Sequence, residues 1–237
     1  MQKEEKTIIV IPARKNSSRV KDKNIAPVGG HPLISYTIRM AKALQSVDSV
    51  YVDTDSEKYA AISNKYGAEV PFLREPDMAT DKASLSATVN RFIDRLCQGK
   101  SIQLSRVICM LPTSPFRNLA ETQYLVDMLG SYFSVKTVMM ANVHMRRSHI
   151  QWRDGILPLN KFIKIAGQRY HWMKPLGNFT GSFKNGTAPA HIDVYNGFGY
   201  KVISNPMELV DVDTHKDLNL VEKIISESIY DFGMSMS

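Results

Sequence analysis

The sequence predicts a three-layer α/β domain on a mainly parallel sheet, and three observations carry that expectation. Short β-branched apolar runs alternate with amphipathic stretches of helical length over most of the 237 residues. Such alternation builds βαβ units, whose crossovers place helices on both faces of a parallel sheet. The composition, 43% hydrophobic and 22% charged, is that of an ordinary globular chain. A chain of this length forms one domain that buries roughly 70–75% of its unfolded surface without a disulfide or metal staple.

The elements follow in order. Thr7 to Ala13 reads as a buried strand and Arg14 to Asn24 as a polar loop. Pro32 opens a helix with Leu33, Tyr36, Thr37, Met40 and Leu44 on one face. Val50 to Val52 is a strand, and Ser56 to Tyr66 is a helix closed by Gly67 at its C-cap position. Val70 to Leu73 is extended, Ser84 to Leu96 helical, Val107 to Leu111 a strand, Leu119 to Leu129 helical and Val135 to Met140 a strand. From about Asn142 to Pro189 the alternation stops. A structureless loop of that length is improbable, so an insert is expected that forms its own short strands, covers a site or meets another subunit. The regular pattern resumes with strands over Ile192 to Ile203 and Glu208 to Val212, then a helix from Thr214 to Glu227.

The apolar run after Met1–Lys6 is too short for a membrane span or a signal-peptide core, so a cytoplasmic protein is expected. Cys97 and Cys109 make no metal-ligand spacing and read as reduced, structural thiols. The net charge of +7 points to an anionic partner. The cations are mostly scattered and no helix-turn-helix, zinc-finger or RNA-recognition pattern occurs. Small anions are therefore the first reading and nucleic acid the second.

Two constellations carry chemistry. Arg14 to Asn24 holds five basic residues and one acidic residue directly after the first strand. In an open α/β sheet, ligands lie at the carboxyl ends of strands, so this loop can meet a triphosphate, although it is no Walker or dinucleotide loop. Alternatively it is a solvated basic loop. The second constellation is Asp211-Val212-Asp213. Residues i and i+2 of a strand share a face, and two carboxylates side by side suit Mg²⁺, which takes one or two carboxylates plus substrate phosphates. Asp213 or Thr214 could instead cap the next helix, and Asp217 reads as a first-turn acidic residue.

The residues Ile-Pro-Ala-Arg at 11–14, Asn16-Ser17, Arg19 and Lys23-Asn24 resemble the nucleotide signature of CMP-sugar synthetases, the acylneuraminate cytidylyltransferases among them. Lys15 and Asn16 stand where many members have glycines. The resemblance continues through Tyr66 to Arg74, Asp81-Lys82-Ala83-Ser84, Leu111 to Arg117, Tyr195 to Tyr200 and Asp211 to Asp213. It implies a Rossmann-like domain whose insert forms a homodimer and closes over the partner's acceptor site. It also implies Arg14 and Lys23 on the CTP phosphates, with Ala13, Ser17, Asn24, Arg74, Ala83 and Ser84 around the nucleotide. Thr113, Ser114 and Asn196 would face the acceptor, and Asp211 and Asp213 would bind Mg²⁺. Ser84 equally suits a helix N-cap, and Thr113 and Ser114 a stiff turn. Leu111 departs from the glutamine that sialic-acid enzymes place there, which leaves the acceptor open. Sialic, legionaminic or pseudaminic acid, Kdo or a phosphonate all remain, as does a nucleotide binder without turnover. An acceptor carboxylate could pair with a cation among Arg146, Arg147, His149, Lys161, Lys164, Arg169 and Lys174.

Overall fold

The computed structural model describes residues 6–80, 83–100, 104–141, 149–152, 155–158, 172–184, 188, 191–192 and 197–236. The chain order is β1 (Lys6–Pro12), β2 (Pro27–Val28), β3 (His31–Pro32), α1 (Leu33–Ala43), β4 (Ser49–Asp53), α2 (Glu57–Lys65), α3 (Leu85–Lys100) and β5 (Leu104–Cys109). Then come α4 (Leu119–Met128), β6 (Ser134–Ala141), β7 (His149–Trp152), β8 (Gly155–Pro158), β9 (Trp172–Phe183), β10 (Phe198–Val202) and α5 (His215–Ser226). The main sheet has six strands in the order β10-β6-β9-β5-β1-β4. All of them are parallel except β9, which runs antiparallel to both its neighbours.

Alternation along β1 builds the layers. Ile9 and Ile11 pack with Ile34 and Ile38 of α1 and Leu125 and Val126 of α4. Ile8 and Val10 point the other way, onto Val89, Phe92, Ile93 and Leu96 of α3. A third cluster joins Leu33 and Tyr36 of α1, Phe116, Val212, Val221 and Ile224 of α5, and Tyr230 and Phe232 of the tail. Helix termini follow the sequence signals. The Ser56 hydroxyl accepts from the Tyr59 N–H, and α2 ends at Gly67 with φ +90°, where a side chain would be strained. Both cysteines are thiols, and no helix among the described residues is long and apolar enough to cross a membrane.

The structure departs from the sequence reading at three places. First, the stretch read as an insert up to Pro189 contributes β9, a strand inside the main sheet, while β7 and β8 form a separate two-stranded hairpin. The alternation in β9, with Phe179 and Phe183 buried and Thr180 and Ser182 half-buried, is broken by Pro175, Gly177 and Gly181, which hides the strand. Second, the strand read over Ile192 to Ile203 is β10, only Phe198–Val202. Third, Glu208 to Val212 is no strand: residues 206–209 form a turn and 210–213 run on irregularly. The Val212 backbone bonds to two loops rather than to a neighbouring strand, so no ladder forms.

Candidate active site

The loops after β1 and β5 emerge side by side, because β1 pairs with β5 in parallel. The β1 loop is closed on itself. The Lys15 N–H donates to the Asp55 carboxylate at 2.7 Å, and the Asn24 amide to the Arg14 carbonyl at 3.1 Å. The buried Tyr59 hydroxyl reaches the Lys15 carbonyl at 3.4 Å and the Asp22 carboxylate at 3.2 Å. Asp22 itself sits at φ 54°, the left-handed turn that brings Lys23 back under the loop. Ala13 is buried, its N–H on the Asp53 carbonyl at 2.9 Å, while Arg14 and Ser17 are half-buried and Lys15, Arg19 and Lys21 exposed.

Lys23 joins the two constellations, which lie far apart in sequence. Its side chain is only 11% exposed. Its ammonium donates to the Val212 carbonyl at 2.6 Å and to the Asp213 carboxylate at 3.0 Å. Arg19 meets the other Asp213 oxygen at 2.7 Å. The Val212 N–H donates to the Thr113 carbonyl at 2.7 Å, so the β5 loop holds the same segment from its other side. Val212 is buried between its two carboxylate neighbours, of which Asp211 is exposed and Asp213 half-exposed. Thr214 and Asp217 form the reciprocal capping box that starts α5. Asp217 also accepts from the Asp213 N–H at 3.0 Å, so it positions the segment and is engaged in capping.

The hydrogen bond from Lys23, aided by its charge and that of Arg19, holds the Asp213 carboxyl below the usual carboxylate range. A folded-state value below the unfolded one stabilises the fold at neutral pH, and that stabilisation is lost as pH falls through the folded value. The difference in urea midpoint between wild type and Asp213→Asn should therefore stay constant from about pH 8 to about 5.5 and shrink below about pH 4. It should also be small and weakened by salt, because the carboxylate is half-exposed.

The Thr113–Ser114 turn rests on Arg117, whose importance the sequence did not reveal. Arg117 is buried and donates to the Asn178 carbonyl at 2.7 Å, the Leu111 carbonyl at 2.8 Å, the Thr37 hydroxyl at 3.0 Å and the Gly177 carbonyl at 3.3 Å, and also to the Ser114 carbonyl. Burial pulls its guanidinium down to about 9. A register shift where β9 meets β6 delivers Gly177 and Asn178 to this hub. An arginine following a Pro-Thr-Ser-Pro turn and an apolar residue was the available signal.

The remaining expected residues fall as follows. Thr113 is half-buried beside the carboxylate segment, whereas Ser114 is buried and serves the turn, because its carbonyl is drawn onto Arg117. Ser84 caps α3, its hydroxyl accepting from the Ala87 N–H at 3.1 Å, and Ala83 precedes it half-buried. The Arg74 guanidinium, 7% exposed, lies on the Asp53 carboxylate at 2.9 Å and also donates to the Asp53 carbonyl at 2.8 Å. It braces the end of β4 next to Ala13. Asn196, Asp81, Arg146, Arg147, Lys161, Lys164 and Arg169 lie outside the described residues, as does the His149 side chain, and Lys174 is exposed.

Two hard-oxygen carboxylates flanking a buried, backbone-anchored valine, next to a cationic loop, fit a divalent cation shared with phosphates. Among the described residues no cluster of three or more His, Cys, Asp or Glu could hold a metal by protein ligands alone. A cleft of about 770 Å³ opens beside the β5 loop, between α3 and the sheet, with Leu111 and Gly177 at its site end.

Comparison with known proteins finds similarity over much of the chain. The sequence profile of a cytidylyltransferase family covers residues 8–116, the segment carrying both the cationic loop and the β5 loop. Over that segment, just under half of the chain, the sequence is similar to this cytidylyltransferase family. It is 29% identical over 228 residues to the CMP-N,N'-diacetyllegionaminic acid synthase of Legionella pneumophila, covering 92% of this chain and 95% of that one. It is 37% identical over 113 residues, 48% of each chain, to the pseudaminic acid cytidylyltransferase of Campylobacter jejuni. A CMP:2-keto-3-deoxy-manno-octonic acid synthetase solved with CTP superposes with a TM-score of 0.65 at 14% identity, over 94% of this chain and all of that one, which shows the shared fold. These likenesses indicate a nucleotidyltransferase enzyme, and its main sheet is mostly parallel.

Proposed function

We propose that the enzyme transfers CMP from CTP to an acidic sugar of the nonulosonic acid class, releasing pyrophosphate. The observation that carries this reading is the meeting of Lys23 with the Asp211–Asp213 segment at the carboxyl ends of β1 and β5. Cations for a triphosphate and carboxylates for a metal stand together where a nucleotide lies on such a sheet. The named activities of the relatives, a legionaminic acid synthase and a pseudaminic acid cytidylyltransferase, support the choice of acceptor.

Arg14, Lys23 and the backbone of the closed loop would bind the CTP phosphates, with Ala13, Ser17, Asn24, Ala83 and Ser84 around the nucleotide. Arg74 would act by holding Asp53 and the end of β4. Asp211 and Asp213 would hold Mg²⁺, which when bound neutralises phosphate charge and polarises the α-phosphate. The acceptor's anomeric hydroxyl loses its proton to solvent as its oxygen forms the new bond to the α-phosphorus, the bond to the bridging oxygen breaks, and pyrophosphate leaves with that electron pair. Catalysis is then mainly positioning and charge neutralisation. Arg19 and Lys23, paired with Asp213 here, can turn their donors to the phosphates once CTP arrives.

The working form would be a cytoplasmic homodimer with no nucleic acid or membrane partner. Phe198 and Tyr200, each 55% exposed on the edge strand β10, offer an apolar face for a second copy. Incubation with CTP, Mg²⁺ and a panel of nonulosonic acids, Kdo and phosphonates should release pyrophosphate with a nonulosonic acid and leave the other wells near background. Turnover restricted to Kdo or a phosphonate would overturn the choice of acceptor. Tight CTP binding without turnover across the panel would favour a nucleotide binder that has lost catalysis.

A further inference from the structure

The stretch that carries Asp211 and Asp213 belongs to no strand, so its place depends on what holds its two ends. Toward α5 it is held by the bonds of Val212 and by the Thr214–Asp217 cap. At its other end stands Glu208, in the turn 206–209, and only 6% of this glutamate is exposed. Glutamates are almost never buried so deeply without a partner. The Glu208 carbonyl accepts from the Asn178 amide at 2.8 Å, and the same amide reaches the Phe116 carbonyl at 3.3 Å. Its carboxyl Oε1 accepts from the Tyr230 hydroxyl at 2.9 Å. Tyr230 belongs to the tail beyond α5, which turns back along the fold. The Leu119 N–H donates to the Phe232 carbonyl at 2.9 Å, the Asn118 amide to the Asp231 carbonyl at 3.3 Å, and Arg39 to the Met236 carbonyl. The Tyr230 ring lies 5.1 Å from that of Phe116 and meets Phe232 edge-on at 4.9 Å. Burial first, and the Glu208 charge after it, push the Tyr230 hydroxyl above its ordinary range, so it keeps the proton it donates. The bond from Tyr230 to Glu208 thus closes a loop of chain that contains both site carboxylates and the whole of α5.

We propose that Glu208 and Tyr230 form a clasp that positions the carboxylate segment, so that Asp211 and Asp213 reach one divalent cation together. The inference rests on the transferase reading and adds to it two residues that neither charged constellation contains. Both side chains are buried, so they are positioning residues that act through the segment's backbone. The physical argument is one of ordering. A divalent cation such as Mg²⁺ demands near-ideal geometry from its ligands. A segment with no ladder to fix it would have to be ordered when the cation binds, and that entropic cost weakens binding. Closing the loop in the folded protein places that cost in folding instead. Groups bonded directly to metal ligands alter affinity by about 10- to 100-fold when lost. A clasp three residues from the first carboxylate acts less directly, so about three- to tenfold is expected.

The test is Mn²⁺ binding in the presence of CTP, read from the electron paramagnetic resonance of the free ion, for wild type, Tyr230→Phe, Glu208→Gln and Glu208→Leu. Tyr230→Phe keeps the ring and its packing but lacks the donor, and should weaken Mn²⁺ binding by about three- to tenfold. Glu208→Leu should do the same, whereas Glu208→Gln keeps an acceptor for Tyr230 and should stay within about twofold of wild type. Tyr230→Phe combined with Glu208→Leu should be no weaker than Glu208→Leu alone, because the two changes break one bond. A purely structural clasp would lower the melting temperature and leave the Mn²⁺ affinity of the folded variants unchanged, which would overturn the proposal. Equal losses in Glu208→Gln and Glu208→Leu would also overturn it, by assigning the effect to charge. Should Glu208→Leu not fold, Tyr230→Phe decides alone. If wild type with CTP bound no Mn²⁺, the metal reading of Asp211 and Asp213 would fall, and the clasp with it.

Discussion

Asp213→Ala is expected to lower pyrophosphate release by about a hundredfold or more, the scale on which removing one transition-state charge stabiliser acts. Two roles converge on this carboxylate. It anchors Lys23 at 3.0 Å and Arg19 at 2.7 Å, and under the proposed function it would hold Mg²⁺ together with Asp211. The roles predict different secondary effects. If Asp213 only anchored cations, Asp213→Asn, which keeps an oxygen for Lys23, would recover most of the rate and leave the magnesium dependence untouched. As a metal ligand, asparagine should recover little, and the magnesium concentration giving half-maximal rate should rise several-fold. Asp211→Ala should show the same magnesium shift, although Asp211 makes no ion pair among the described residues.

Arg117→Met should be the most destabilising single change near the site. The guanidinium satisfies four carbonyls and a hydroxyl contributed by α1, the β5 loop and β9. Removing a buried charged partner of this kind costs about 3–5 kcal/mol, because the acceptors it leaves are cut off from water. For a chain of this length that corresponds to a fall in melting temperature of about 10 °C. Arg117→Lys keeps the charge but not the planar fork, so it should recover only part of the loss. A calorimetric scan of the two variants checks both statements, and a melting point within about 2 °C of wild type for Arg117→Met would refute the hub. Surviving Arg117→Met protein should show a raised acceptor KM, since Leu111 and Thr113 lose their support.

The layered sheet was legible because β1 and α1 carry unbroken apolar patterns in the sequence, and the caps at Ser56, Gly67 and Thr214 mark helix ends by local chemistry alone. β9 was not legible. Its glycines and proline interrupt the alternation, and its place in the sheet is decided by pairing with β5 and β6, which no local pattern encodes. The site was legible as two charged segments, but their junction was not. That Lys23 would lie on Asp213, and that Val212 would bond to both loops instead of to a strand, depends on how the segments meet in space. Arg117 and Arg74 illustrate the same limit. The sequence places Arg74 beside the nucleotide and Arg117 at the end of the Leu111–Arg117 motif, yet Arg117 is buried in a ring of carbonyls and Arg74 lies on the 2% exposed Asp53 carboxylate.

The most direct test of the central claim is to supply the acceptor with ¹⁸O at its anomeric hydroxyl, with CTP and Mg²⁺, and to weigh the products. Transfer as described predicts equal amounts of pyrophosphate and CMP-sugar, with the label retained in the bridge between the sugar and phosphorus. Free CMP formed alongside unlinked acceptor, or a CMP-sugar from which the label has gone, would contradict it.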